Sequence, residues 1–125
     1  MYIIHPDGKV ESVKYNGSLD EIYKAIRAPL FDIVHIGKGL DLFLDDEGLY
    51  RSENFRNRHP WWNLKATHLR TKEWLRMGEE IDWSLASDMP PLCGWACVLA
   101  HDGEGNTIDL TAEQEQYIKD ELNIK

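Results

Sequence analysis

The sequence lacks the features that define several protein classes. Cysteine occurs only twice in 125 residues, which excludes a small secreted domain held together by disulfides. No uncharged run approaches the roughly 20 apolar residues that a membrane-spanning helix needs. The segment from Met1 to Pro6 has no basic region followed by a long apolar core. We therefore expect no signal peptide, no membrane partner and a location in the cytoplasm.

Basic residues are also in the minority. Lys and Arg number 14 against 22 Asp and Glu, which gives a formal net charge of −8. An acidic protein is a poor ligand for the phosphates of duplex nucleic acid, so we do not expect that partner. Hydrophobic residues make up 42% of the chain and charged residues 29%, which fits a single globular domain over residues 1–125.

The most apolar stretch runs from Leu92 to Ala100, between a Pro-Pro pair and an acidic, Gly-rich turn. Such a run predicts a strand that is buried on both faces. Alternation along this strand would place four large side chains on one face: Cys93, Trp95, Cys97 and Leu99. The two cysteines would then lie about 13 Å apart, too far for a disulfide. Their apolar neighbours predict inert, buried thiols.

Turn and capping residues divide the rest of the chain into short elements. Pro6-Asp7-Gly8 predicts a hairpin between strands 2–5 and 9–15. Gly37-Lys38-Gly39 predicts a second hairpin between strands 31–36 and 40–44. Ser18 with Glu21, and Thr111 with Gln114, have the spacing of capping boxes and predict helices over 18–27 and 111–122.

These elements predict an α+β fold in one domain, with a mixed or antiparallel sheet of about five strands packed by two helices. A further helix is predicted over 64–77, within an Arg- and Trp-rich insertion that spans 51–88. We expect its apolar face to contain Leu64, His68, Trp74 and Leu75. We expect the apolar face of the first helix to contain Leu19, Ile22, Tyr23 and Ile26.

One basic and aromatic segment interrupts the acidic chain. Residues 51–76 carry seven basic side chains against two acidic ones, with tryptophans among them. Guanidinium groups and indole rings are the groups that hold phosphates and stack on bases. The candidate ligand-binding residues are Arg51, Arg56, Arg58, Trp61, Trp62 and Arg70. The alternative is structural: acidic groups of this chain or of a second copy neutralise the segment, and the tryptophans hold the insertion against the sheet.

No motif indicates catalysis, a metal or a cofactor. The five histidines are far apart in sequence and lack His-Glu-x-x-His spacing, so none is predicted to be a metal ligand. His101 is expected to be a strand-end residue with a satisfied hydrogen bond. The sequence Asp45-Asp46-Glu47-Gly48 lacks the ligand spacing of a calcium loop and is interpreted as a turn. We expect a non-catalytic protein without a cofactor.

The order of several segments resembles a known family. After the N-terminal hairpin come Ser18-Leu19-Asp20-Glu21-Ile22-Tyr23 and Leu40-Asp41-Leu42-Phe43-Leu44-Asp45-Asp46-Glu47-Gly48. Later segments are Pro91-Leu92-Cys93-Gly94-Trp95-Ala96-Cys97-Val98-Leu99 and Leu110-Thr111-Ala112-Glu113-Gln114. Together these resemble the small family called domain of unknown function 3846, found largely in bacteriophages and mobile elements. The resemblance covers 1–50 and 91–122, and it transfers no active site.

The resemblance implies a phage or prophage origin, which would place the protein in the cytoplasm of a host cell. We therefore expect a small accessory protein that binds a host protein in host takeover or counter-defence, or that binds a second copy of itself. The alternative is a protein that binds a nucleotide or a phosphorylated small molecule through residues 51–76.

Overall fold

The computed structural model describes residues 1–45, 63–76 and 92–123, with side chains given for all but 72–76. Six strands and three helices lie in these ranges. The strands are β1 (Tyr2–Ile4), β2 (Val10–Ser12), β3 (Phe31–Gly37), β4 (Leu40–Asp45), β5 (Ala96–His101) and β6 (Thr107–Ile108). The helices are α1 (Leu19–Ile26), α2 (Leu64–Arg76) and α3 (Ala112–Leu122). No helix within these ranges is long and apolar enough to cross a membrane.

The strands form one antiparallel sheet in the order β2-β1-β5-β4-β3, and β6 also pairs with β5. β1 pairs with Ala96–Val98 of β5, whereas β6 pairs with Ala100 and His101 farther along the same strand. β5 is therefore the central strand, and residues 96–100 are buried. The predicted α+β fold is confirmed, with six strands in the described residues where about five were expected.

The central strand begins later than predicted. Gly94 has a φ of +85°, a left-handed conformation that interrupts the extended backbone, and β5 begins only at Ala96. Cys97 and Leu99 share one face of β5, as predicted. The prediction that Trp95 belongs to the same strand is wrong: it lies before β5 and is half-buried.

Helix α1 covers one face of the sheet. Its predicted capping box is confirmed, because the Ser18 side chain accepts from the backbone of the first turn and Glu21 accepts from the backbone N–H of Ser18. Three of its residues belong to a buried cluster with Phe43, Cys97 and Leu99 of the sheet: Ile22, Ala25 and Ile26. Leu19 was expected on this buried face, but it is 56% exposed. It is the first residue of the helix and lies outside that cluster.

Helices α2 and α3 cover the opposite face. Ala66, Leu69, Ile118 and Leu122 belong to a cluster with the leucines of β4. The predicted capping box of α3 is confirmed. The expected face of α2 is wrong at Leu64, which is 67% exposed, and His68 is also exposed. The small side chain of Ala66 lies in the core instead and allows close packing of the helix.

Asn63 is fully buried and joins α2 to two other segments. Its Nδ2 donates to the carbonyl oxygens of Ile4 (2.9 Å) and Gly94 (3.0 Å). Its Oδ1 accepts from the backbone N–H of Ala66 (3.0 Å), which is the hydrogen bond of an N-cap residue. The sequence prediction started the helix at Leu64 and missed this cap.

Candidate functional site

Three polar side chains meet on the face of the sheet that carries α1. The carboxylate of Asp41 on β4 lies 2.5 Å from Nδ1 of His35 on β3. It lies 3.0 Å from Nδ1 of His101 at the end of β5. The Asp41 side chain is 6% exposed, against 76% for His35 and 37% for His101. The group is therefore one buried carboxylate in contact with two accessible imidazoles, and we call it the His-Asp-His cluster.

Strand register brings these residues together. The predicted turn at Gly37-Lys38-Gly39 is confirmed by positive φ angles at all three positions, and it pairs His35 with Asp41 across the hairpin. Asp41 also pairs with Leu99 of β5, and His101 lies two residues farther along that strand. Since side chains alternate along a strand, Leu99 and His101 share the face of Asp41.

Asp41 is an unusual buried residue, because a buried carboxylate needs strong compensation for its lost hydration. Among the described residues its side-chain hydrogen bonds and ion pairs are with the two imidazoles and with no Lys or Arg side chain. The rings stand edge to face, with centroids 5.8 Å apart. Such a group can orient both imidazoles and attract a cation.

Sequence reasoning did not identify the cluster. A hairpin symmetric about Lys38 pairs His35 with Asp41, which is the one polar residue in the segment 40–44. Two of the three residues of the cluster therefore had a local indication in the sequence. His101 is 60 positions from Asp41, and only the sheet brings it close. The expectation that His101 ends a buried strand with a satisfied hydrogen bond is confirmed.

Strand β3 carries His35 and forms an edge of the sheet. Within the described residues it pairs with β4 on one side and with no strand on the other. Asp32, Ile33 and His35 are exposed on it, and Leu30 is exposed just before it. An edge strand presents unpaired backbone N–H and C=O groups, which can pair with another chain.

The structure describes one of the six candidate ligand-binding residues. Arg70 lies on α2 and is half-buried, and burial lowers the pKa of its guanidinium below its ordinary value. The other five lie outside the described residues: Arg51, Arg56, Arg58, Trp61 and Trp62. Most of the 51–88 insertion and most of the predicted turn at 45–48 also lie outside them. Binding of a nucleotide there therefore stays a prediction.

The two thiols are buried, as predicted. Burial raises the pKa of the Cys97 thiol to about 12, so very little of the reactive thiolate exists near neutral pH. We expect Cys97 in a Cys93→Ser variant not to react with Ellman's reagent in the native protein and to react at once in denaturant. A rapid native reaction, followed by absorbance, would contradict its placement in the core.

Comparison with known proteins decides the family. The family model described as Domain of unknown function (DUF3846) matches residues 1–123 of the 125. The chain belongs to the DUF3846 family. This confirms the resemblance seen in the sequence, and the match to the DUF3846 model extends through the segment 51–88. No curated protein and no solved structure matches the chain.

Proposed function

We propose that this DUF3846 protein is a non-catalytic accessory protein that binds another protein through the edge of β3. The observation that supports this most is the seven-residue edge strand with exposed apolar residues, Ile33 at 46% and Leu30 at 58%. A partner strand would satisfy the outer backbone groups of β3 and cover these side chains. The strand β2 has only three residues, so it offers a shorter ladder.

The side chains of β3 indicate which partner would fit. Ile33 pairs with Phe43 on the α1 face, and Asp32 points to the opposite face. An added strand would therefore place an apolar side chain beside Ile33 and a basic one beside Asp32. The net charge of −8 also favours a basic partner. Given the phage origin that the family resemblance implies, we propose a host protein as this partner, bound in host takeover or counter-defence.

The test compares capture of host proteins by three forms of the purified protein. Ile33→Lys places a charge on the edge of β3, where lysine opposes strand addition. Val13→Lys is the matched control. Val13 is an apolar residue of similar exposure (42%), but it lies just after β2 and not on β3. We expect one host protein to be retained by the wild type and by Val13→Lys and lost with Ile33→Lys. Hydrogen exchange of the β3 amides should slow in the complex.

Four other outcomes would count against this proposal in different ways. Equal capture by all three forms would exclude β3 as the docking edge. Capture of no protein by any form would exclude the protein-binding role. A concentration-dependent dimer that Ile33→Lys abolishes would show that a second copy of the chain occupies the edge. A thermal shift with nucleotides, abolished by changing Arg56 and Arg58 to Ala, would favour the alternative function.

A further inference from the structure

We infer that the His-Asp-His cluster is a binding site for a divalent transition metal of the zinc class. The ligands are His35 and His101 through their Nδ1 atoms and Asp41 through its carboxylate. This inference does not depend on what binds the edge of β3, because it concerns a property of the isolated chain.

The three side chains meet at the carboxylate of Asp41. Nδ1 of His35 lies 2.5 Å from its Oδ1, and Nδ1 of His101 lies 3.0 Å from its Oδ2. One donor atom from each residue lies within 4.8 Å of the other two. Two donors that each bind a metal at about 2.0–2.2 Å can lie at most about 4 Å apart. A movement of one donor side chain by about 1 Å would therefore bring all three within reach of one metal. His35 can supply this shift, because its side chain is 76% exposed.

The electrostatics of the cluster also favour a cation. Asp41 is 6% exposed, and in the described part of the chain the ion pairs of its carboxylate are with the two imidazoles. A carboxylate in a poorly solvated place needs hydrogen bonds or a nearby positive charge to compensate for its lost hydration. A bound dication would supply that compensation. Each imidazole would then carry its proton on Nε2 and give the metal its Nδ1 lone pair.

The donor set selects the class of metal. Two imidazoles and one carboxylate suit Zn²⁺, Co²⁺ and Ni²⁺, whereas Ca²⁺ and Mg²⁺ prefer sites made almost entirely of oxygen. Three protein ligands leave at least one coordination position for water or an outside ligand. The exposure of His35 indicates that this position faces solvent.

Cobalt provides a direct test, because Co²⁺ bound by nitrogen and oxygen ligands in a tetrahedral site absorbs visible light. The full chain, freed of any affinity tag and treated with a chelator, is titrated with Co²⁺ at neutral pH. We expect a visible band that saturates at one Co²⁺ per chain. Zn²⁺ should remove the band by displacement, and an excess of Mg²⁺ or Ca²⁺ should not.

Variants of the cluster and a matched control complete the test. Removing a residue that only hydrogen-bonds to a metal ligand typically lowers metal affinity by roughly 10–100-fold. His35→Ala and Asp41→Asn change the ligands themselves, so each should weaken Co²⁺ binding by more than this. The control is His68→Gln, which removes an exposed histidine that lies 3.2 Å from Glu121 but belongs to no group of three donors among the described residues. We expect this variant to bind Co²⁺ like the wild type.

Circular dichroism checks that each variant is folded, and His35→Ala changes an exposed side chain, so its folding should be unaffected. The inference is overturned if the wild type shows no visible band, if His35→Ala binds like the wild type, or if His68→Gln loses binding equally. Ile33→Lys should bind Co²⁺ normally. This distinguishes a failure of the metal site from a failure of the proposed docking edge.

Discussion

Replacing Asn63 with alanine is expected to lower the free energy of unfolding by about 3–5 kcal/mol. The substitution leaves the carbonyl groups of Ile4 and Gly94 and the N–H of Ala66 without their partner in a fully buried place. Each buried polar group left unpaired costs about 1–3 kcal/mol. Urea denaturation followed by circular dichroism measures the change.

The control for this prediction is Asn106→Ala. Asn106 is exposed, and its side chain donates to the carboxylate of Asp102 within one turn. We expect Asn106→Ala to change the free energy of unfolding by less than about 1 kcal/mol, because water replaces the lost hydrogen bond. If both variants lost the same small amount, Asn63 would not join α2 to β1 as the structure shows.

The second large effect is expected at Phe43, where substitution by alanine should destabilise the native state by about 3–5 kcal/mol. Its ring is 1% exposed and belongs to the cluster that holds α1 on the sheet. A helix of eight residues is not stable alone in water, so α1 depends on this contact. Thermal unfolding measures the loss, and hydrogen exchange of the amides in 19–26 shows whether α1 loosens.

Phe31→Ala is the matched comparison. Phe31 lies at the start of edge strand β3, is half-buried, and stacks edge-on against Phe43 with centroids 5.1 Å apart. Phe31→Ala removes a ring of the same size as Phe43→Ala, so the main difference between the two variants is how deeply the lost ring is buried. We expect it to cost about 1–2 kcal/mol. A loss at Phe31 equal to that at Phe43 would show that burial does not decide the cost.

The two proposed activities lie side by side, because His35 belongs both to the edge strand and to the His-Asp-His cluster. A metal bound by His35 would fix a side chain that is otherwise 76% exposed. A protein bound along β3 would cover the same side chain. The paired variants Ile33→Lys and His35→Ala therefore separate the docking edge from the metal ligands within a single strand.

Local sequence determined where α1 and α3 begin and where the β3–β4 turn lies. The capping boxes at Ser18 and Thr111 fix where α1 and α3 begin, since a side chain three residues away supplies the missing hydrogen bonds. The glycines around Lys38 fix the β3–β4 turn, since they adopt positive φ without steric cost. Each of these features depends on neighbours in the chain, and each was predicted correctly.

Tertiary structure decided which faces are buried and which residues form the site. The apolar pattern placed Leu64 on the inner face of α2, yet the hydrogen bonds of Asn63 and the close packing at Ala66 leave Leu64 exposed. The His-Asp-His cluster depends on pairing between β4 and β5, which are separated by about half of the chain. Pairing over such a distance is set by the packing of the whole sheet. Local spacing therefore predicted the turn that pairs His35 with Asp41, and only the fold added His101.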